Sequence, residues 1–325
     1  MQTYEQELQQ VKSFLLEHDD YLVVSHVQPD GDAVSSTLAV GWLLSCLGKK
    51  FTMINEGPIP KRMNMLWHAG DIINGSEEPP DRMFTHVICV DCADFARVGN
   101  IRTLFAEDAT IVNIDHHPTN DRYGSVNLVQ PQAAATAEIL YDLLNACGIT
   151  WDAEIAAAVY TGLLTDTGGF RYTNTSPKVM SIASELLGHG VNGPELAEIL
   201  LEEMTLPQMK VLVEALNTLR VSEDGKIAWV HITPDHMERC GAASEDLEGI
   251  VNYPRNIQGV EVGILFKLLK SGIVKVSLRS AGKVDVAALA QGFGGGGHVR
   301  AAGCSLEGPL EDVIPRVVEQ VRLRL

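Results

Sequence analysis

Three short β-branched runs in the first half of this chain each end in a polar, acidic cluster, and this repetition restricts the fold more than any other feature. YLVVSH (21–26) leads into VQPDGD, THVICVD (85–91) into CAD, and TIVNID (110–115) into HH. FTMIN (51–55) is a fourth such run. Between or after them, AVSSTLAVGWLLSCLG (33–48), AAATAEILYDLLNACG (133–148) and AEIAAAVYTGLLTD (153–166) have helical apolar spacing and finish at or near glycines. Strands alternating with helices predict an α/β domain with a mostly parallel sheet. Ligands of open parallel sheets sit beyond the carboxyl ends of the strands, so the acidic clusters converge on one rim.

From about Pro177 to Leu219 the pattern is helical and polar with no strand candidate. After it, KIAWVHI (226–232), GVEVGILFKLL (259–269) and GIVKVSLRS (272–280) alternate as strands. A short helix (284–293), a glycine loop and an amphipathic helix (310–324) follow. The expected organisation is a catalytic domain over 1–188, a helical connector over 189–219 and a smaller α+β domain over 220–325.

Charge separates the two ends of the chain. Residues 220–325 carry 13 basic and 13 acidic side chains, so residues 1–219, with 12 against 29, hold the whole net charge of −17. A surface of that sign repels long duplex nucleic acid, whose non-specific binding depends on Lys and Arg at the phosphates. The N-terminus, MQTYEQELQQVKSF, lacks the basic-then-apolar order of a signal peptide, and no apolar stretch is long enough for a membrane span. The six cysteines read as reduced, buried small hydrophobes of a cytoplasmic protein.

The chemistry-bearing residues cluster where the strands end. In SHVQPDGDA, His26, Asp30 and Asp32 fall within seven residues, with Gly31 permitting a tight turn between the carboxylates. No Gly and Glu follow at EF-hand positions. Asp91 ends an apolar strand and is either a cap or a ligand. Cys89 and Cys92 flank it, without the second pair a zinc ribbon needs. Asp115, His116 and His117 follow a buried strand, where each costs desolvation and packing is a poor explanation for all three. Asp166, at a helix C-terminus, opposes the macrodipole, which suits a ligand better than a stabilising acid. Oxygen and imidazole donors without thiolate suit Mn²⁺ or Mg²⁺, with Fe²⁺ or Co²⁺ as alternatives. So many carboxylates suggest two ions that clamp a phosphoryl group and generate a hydroxide. In the neutral half, GGGGHVRAAG (294–303) offers bare backbone N–H groups to an anion, beside His298, Arg300 and Arg279.

HVQPDGDA, VDCAD, DHH and TDTGGF, in this order, resemble the four motifs of the DHH phosphoesterase superfamily, and GGGGH resembles the hallmark of its DHH-associated C-terminal domain. The resemblance spans nearly the whole chain, and VNYPRNIQGVEVGILF is similar to the stand-alone oligoribonucleases that also remove the 3′-phosphate of pAp. It implies one metal on His26, Asp30 and Asp91 and a second on Asp32, Asp91, His116 and Asp166, with Mn²⁺ expected. Asp91 and His117 would be catalytic, His117 facing the substrate phosphate or giving a proton to the leaving oxygen. Arg279, Gly296, Gly297 and His298 match substrate-gripping positions. The implied substrates are short RNA, dinucleotides and pAp, with cyclic di-AMP or its linear product pApA as the alternative and a non-cleaving nucleotide sensor as the rival outside enzymes. A homodimer is compatible with this reading. One departure is Ser35, where the family usually has glycine.

Overall fold

The computed structural model describes residues 3–325, which divide into two compact units with the boundary between Glu203 and Met204. The segment expected as a connector is shared between them.

In the first unit, α1 (Tyr4–Glu17) precedes β1 (Tyr21–Val24), α2 (Gly31–Cys46), β2 (Phe51–Asn55), β3 (Ile73–Asn74) and β4 (Phe84–Val90). Then come β5 (Phe105–Asp115), β6 (Val126–Val129), α3 (Thr136–Ala146), α4 (Ala153–Asp166), α5 (Pro177–Gly188) and α6 (Gly193–Ala197). The six strands pair in the order β3-β2-β1-β4-β5-β6, every pair parallel. Alternation along β1 and β4 sends Tyr21, Val23, Ile88 and Val90 into the core shared with the helices, and Leu22, Val24, Val87 and Cys89 into a smaller cluster with Val98 and Ile101. The chain runs from β1 toward β3 on one side and from β4 toward β6 on the other. The order therefore reverses between β1 and β4, and open sheets hold their ligands at that point.

The second unit contains α7 (Leu206–Asn217), β7 (Arg220–Val221), β8 (Ile227–Ile232), α8 (Pro234–Cys240), α9 (Asn252–Arg255), β9 (Val262–Leu268) and β10 (Ile273–Ser280). α10 (Val286–Gln291), β11 (Gly296–His298), β12 (Ala301–Glu307) and α11 (Leu310–Arg322) complete it. Its six strands lie in the order β11-β12-β10-β9-β8-β7, antiparallel except for β8 with β9. Two expectations need correction. The glycine segment is a hairpin and not simply a loop: Gly296–His298 form an edge strand against β12. Of the cysteines, all free, Cys46 is exposed and Cys147 only half-buried. Among the described residues no helix is long and apolar enough to cross a membrane.

Candidate metal centre

The sheet register brings the acidic clusters to one level. Val24 of β1 is paired with Cys89 of β4, which is paired with Asn113 of β5, so two residues further along stand His26, Asp91 and Asp115. β1 is shorter than its sequence signal: Ser25 and His26 lie beyond its end, which leaves the imidazole at the rim.

Each donor is fixed by a local device. Asp30 caps α2, its Oδ1 accepting from the Ala33 N–H at 3.1 Å, while Asp32 sits in the first turn of that helix. Asp166 is the last residue of α4, which stops at two glycines in the left-handed region, Gly168 and Gly169. α4 approaches α2 closely because Gly162 has no side chain; a Cβ there would lie 2.7 Å from Asp32 Oδ1 and 3.2 Å from the Ser35 Cβ. Ser35 is thus accommodated by a glycine on the facing helix. Its hydroxyl is buried without a hydrogen-bond partner.

The histidines are aimed by their outer nitrogens. His26 Nδ1 donates to the Val27 carbonyl (2.9 Å) and His116 Nδ1 to the Ala133 carbonyl (3.2 Å). A carbonyl only accepts, so each Nε2 carries no proton in the neutral ring and is turned inward, where it could ligate a metal. His26 Nε2 lies 3.6 Å from Asp91 and 3.9 Å from Asp30. His116 Nε2 lies 3.6 Å from Asp91 and 3.3 Å from Asp166. His117 differs: its Nδ1 is 2.7 Å from Asp115 Oδ1, and Asp115 Oδ2 accepts from Asn120 at 2.7 Å.

Three sets of donors result, each with its ligand atoms within 4.8 Å of one another: His26, Asp30 and Asp91; Asp32, His116 and Asp166; and Asp91, His116 and His117. Asp91 and His116 each belong to two sets. Electrostatics favours positive charge among these carboxylates. Burial, then the neighbouring Asp91, pushes the carboxyls of Asp32 and Asp166 well above the usual range. Burial works against charge on Asp91 too, but His26, His116 and His117 outweigh it and hold its carboxyl low. Burial also opposes a proton on His26, yet Asp30 and Asp91 raise it to about 10. Cations bound among these carboxylates would replace those protons. The all-oxygen and imidazole donor set fits a hard divalent ion. Cys89 takes no part: it is wholly buried, which pushes its thiol up to about 12.

Sequence reasoning missed Thr136. Its hydroxyl donates to Asp91 Oδ1 at 2.9 Å, and its backbone N–H, with that of Ala137, donates to Asp32 at 2.6 and 3.1 Å. The one signal was negative. α3 begins in AAAT with no capping side chain of its own, so its first N–H groups need an acceptor from elsewhere. Asp32 is that acceptor.

In the second unit, Arg279 on β10 is in register with Ala301 on β12, which is in register with His298 on β11. Arg279 and His298 therefore share one row and one face. Gly296 and Gly297 lie in the adjoining edge strand, with Gly297 at φ 140. Its Cβ would lie 2.5 Å from the Ala301 carbonyl, so glycine is required there.

Residues 20–163 match the DHH family, N-terminal domain, and residues 209–325 match the DHHA1 domain. Over 305 residues, 93% of this chain and 89% of the relative, the sequence is 36% identical to the bifunctional oligoribonuclease and PAP phosphatase NrnA of Thermus thermophilus. The chain belongs to the DHH family. The Bacillus subtilis protein of the same name is 28% identical over 292 residues, 89% of this chain and 90% of that one. A crystal structure of an exopolyphosphatase-related protein from Bacteroides fragilis superposes on this DHH chain with a TM-score of 0.91 at 26% identity, covering 97% of this chain and 95% of that one.

Proposed function

We propose that this protein is a divalent-metal phosphodiesterase that degrades short oligoribonucleotides to mononucleotides and also converts pAp to AMP. The observation that carries the reading is the position of Asp91 at the reversal point of the sheet, with one carboxylate oxygen 3.6 Å from His26 Nε2 and the other 3.6 Å from His116 Nε2. His26, Asp30 and Asp91 would hold one ion and Asp32, Asp91, His116 and Asp166 a second, Mn²⁺ being the ion the donor types favour. Bound there, the ions would supply Lewis acidity at the phosphoryl group and a nucleophile at neutral pH.

The chain's own residues do the rest. Asp91, shared between the sets, fixes the spacing of the centre, with Thr136 orienting one of its oxygens. His117, steadied by Asp115, presents its other nitrogen to the substrate phosphate, either as a contact or to give the leaving oxygen a proton. Arg279 and His298, with the bare backbone of Gly296 and Gly297, grip a phosphate or base remote from the scissile bond. The relatives of 36% and 28% identity, matched over about nine tenths of their own length, carry names for linear substrates, whereas the cyclic-di-AMP phosphodiesterase PdeA of Listeria monocytogenes is 25% identical and matched over 46% of its length, which favours short RNA and pAp over cyclic dinucleotides.

A substrate panel tests this: RNA from dimers to long chains, pAp, cyclic di-AMP and pyrophosphate, each with Mn²⁺ and with Mg²⁺. The proposal expects the highest kcat/KM on RNA dimers to short oligomers, with AMP from pAp. Preference for cyclic di-AMP would install the alternative, and binding without cleavage of any member would make the protein a sensor.

A further inference from the structure

β9 of the second unit carries a cation where its pattern calls for an apolar side chain. Alternation sends Val262, Ile264 and Phe266 into the core shared with α10 and α11, and Leu265 into the cluster that includes α7 and Cys240 of α8. The next position on the Leu265 side is Lys267. It lies half-buried, where Met237 and Ala242 pack against the margin of that cluster. A cleft of about 470 Å³ opens at this margin, with Met237, Ala242 and Leu268 as apolar walls and Lys267, Lys270 and Ser244 as polar groups. The Glu238 carboxylate of α8 also lines it.

The surroundings of this lysine are those of a nucleophile. Lys267 Nζ donates to Ser244 Oγ at 2.8 Å, which holds the amine beside the cleft. Lys275 of β10 is directly opposite it in the antiparallel register, and like charges so opposed are destabilising. Among the described residues no carboxylate forms an ion pair with Lys267, Lys270 or Lys275, although Glu238 shares the cleft with two of them. Burial and then Lys275 press the Lys267 ammonium below its usual range. A lysine desolvated by apolar walls and set against a second cation is an activated amine, because only the unprotonated form attacks an electrophile.

We propose that Lys267 is a covalent modification site, at which the amine takes the acyl group of a small acyl phosphate held in this cleft. Met237, Ala242 and Leu268 suit the acyl chain, while Lys270 in the cleft and Lys275 across from the amine supply the charge that holds the phosphate. The neutral Lys267 nitrogen attacks the carbonyl carbon and forms the C–N bond of an amide. The bond from that carbon to the phosphate oxygen breaks, and inorganic phosphate leaves with the proton that the nitrogen gives up. The product is an uncharged side chain at a half-buried position, so the step removes both the desolvated charge and its repulsion with Lys275.

The test incubates the full chain with acetyl phosphate and reads the initial acetylation rate of each lysine by peptide mass spectrometry. At pH 7.5 Lys267 should react about tenfold faster than Lys210, an exposed lysine of α7, and the advantage should shrink as pH rises toward the ordinary lysine pKa of about 10.4. Lys275→Gln should slow Lys267 about three- to tenfold, since it restores the proton to the amine and loosens the phosphate. Lys270→Gln should slow it about threefold with acetyl phosphate and leave it unchanged with N-acetoxysuccinimide, an uncharged acetyl donor. In the urea-unfolded chain the two lysines should react alike. A Lys267 no faster than Lys210 in the folded chain, a rate indifferent to Lys275→Gln, or the same preference after unfolding would overturn the site. Equal effects of Lys270→Gln with the two donors would overturn the grip on the phosphate.

Discussion

His116 and His117 are neighbours in sequence with different surroundings. His116 sits on a backbone carbonyl and points between Asp91 and Asp166, whereas His117 is bound through Nδ1 to the buried Asp115. His116→Ala should therefore lose bound metal. His117→Ala should keep its metal but lose rate by about 10²- to 10⁴-fold, as removal of a proton donor does. Metal content of both purified variants by plasma emission spectrometry checks this, and equal metal loss would merge the two roles. Thr136→Val removes the hydroxyl on Asp91 and keeps the backbone N–H on Asp32. We expect kcat to fall about 5- to 20-fold with KM little changed, and Thr136→Ser to restore it. The carboxylates and histidines of this centre were legible because polar groups at the ends of buried strands have no packing explanation. Thr136 was not, because an alanine-flanked threonine at a helix start looks like an ordinary first-turn residue until the carboxylate capping it is seen.

At the level of elements, the long runs show which signals survive. β2, β4 and α4 lie close to where periodicity puts them, and both sheets are where the alternating runs predict. The missed strands are β3, β6, β7, β11 and β12. The first four have two to four residues, too few for a period-two pattern to register. β12 is longer but begins AAGC, weak in β propensity; its small residues let β11 and the preceding glycines come close, Gly295 abutting the Gly303 carbonyl. The turn after β10 depends on Glu261, whose Oε1 accepts from Ser280 Oγ and the N–H groups of Gly282, Lys283 and Val284 at 2.6–3.2 Å. Burial disfavours that charge, but these hydrogen bonds outweigh it and hold the carboxyl below its ordinary value. A depressed carboxyl stabilises the fold above the pKa of the unfolded chain, and the contribution is lost as pH falls through the folded value. Glu261→Gln should cost about 2 kcal/mol at pH 7, and the gap from the parent should narrow in urea melts taken below the usual glutamate range. A gap independent of pH would show that shape, and not charge, holds the turn.

Over the whole molecule, the acidic excess lies within residues 1–219, and part of it is the candidate metal centre. Composition announced the asymmetry, and the strand-end motifs gave it a chemical purpose. Arg279 and His298 are proposed to grip substrate without touching metal, so alanine at either should leave ion content intact. Dinucleotide kcat/KM should fall about 10- to 100-fold, the loss of one charge-assisted hydrogen bond. Bis-p-nitrophenyl phosphate, with no remote phosphate to hold, should be hydrolysed nearly as before; parallel loss of both activities would mean that the glycine hairpin shapes the catalytic centre. The account as a whole stands on Asp91 as the carboxylate common to two ions. The most direct measurement is mononucleotide release from an RNA dinucleotide with Mn²⁺, parent against Asp91→Ala, both confirmed folded by circular dichroism. Metal-dependent release by the parent and none detectable from the variant is the predicted result. Activity in Asp91→Ala within tenfold of the parent would contradict the shared centre.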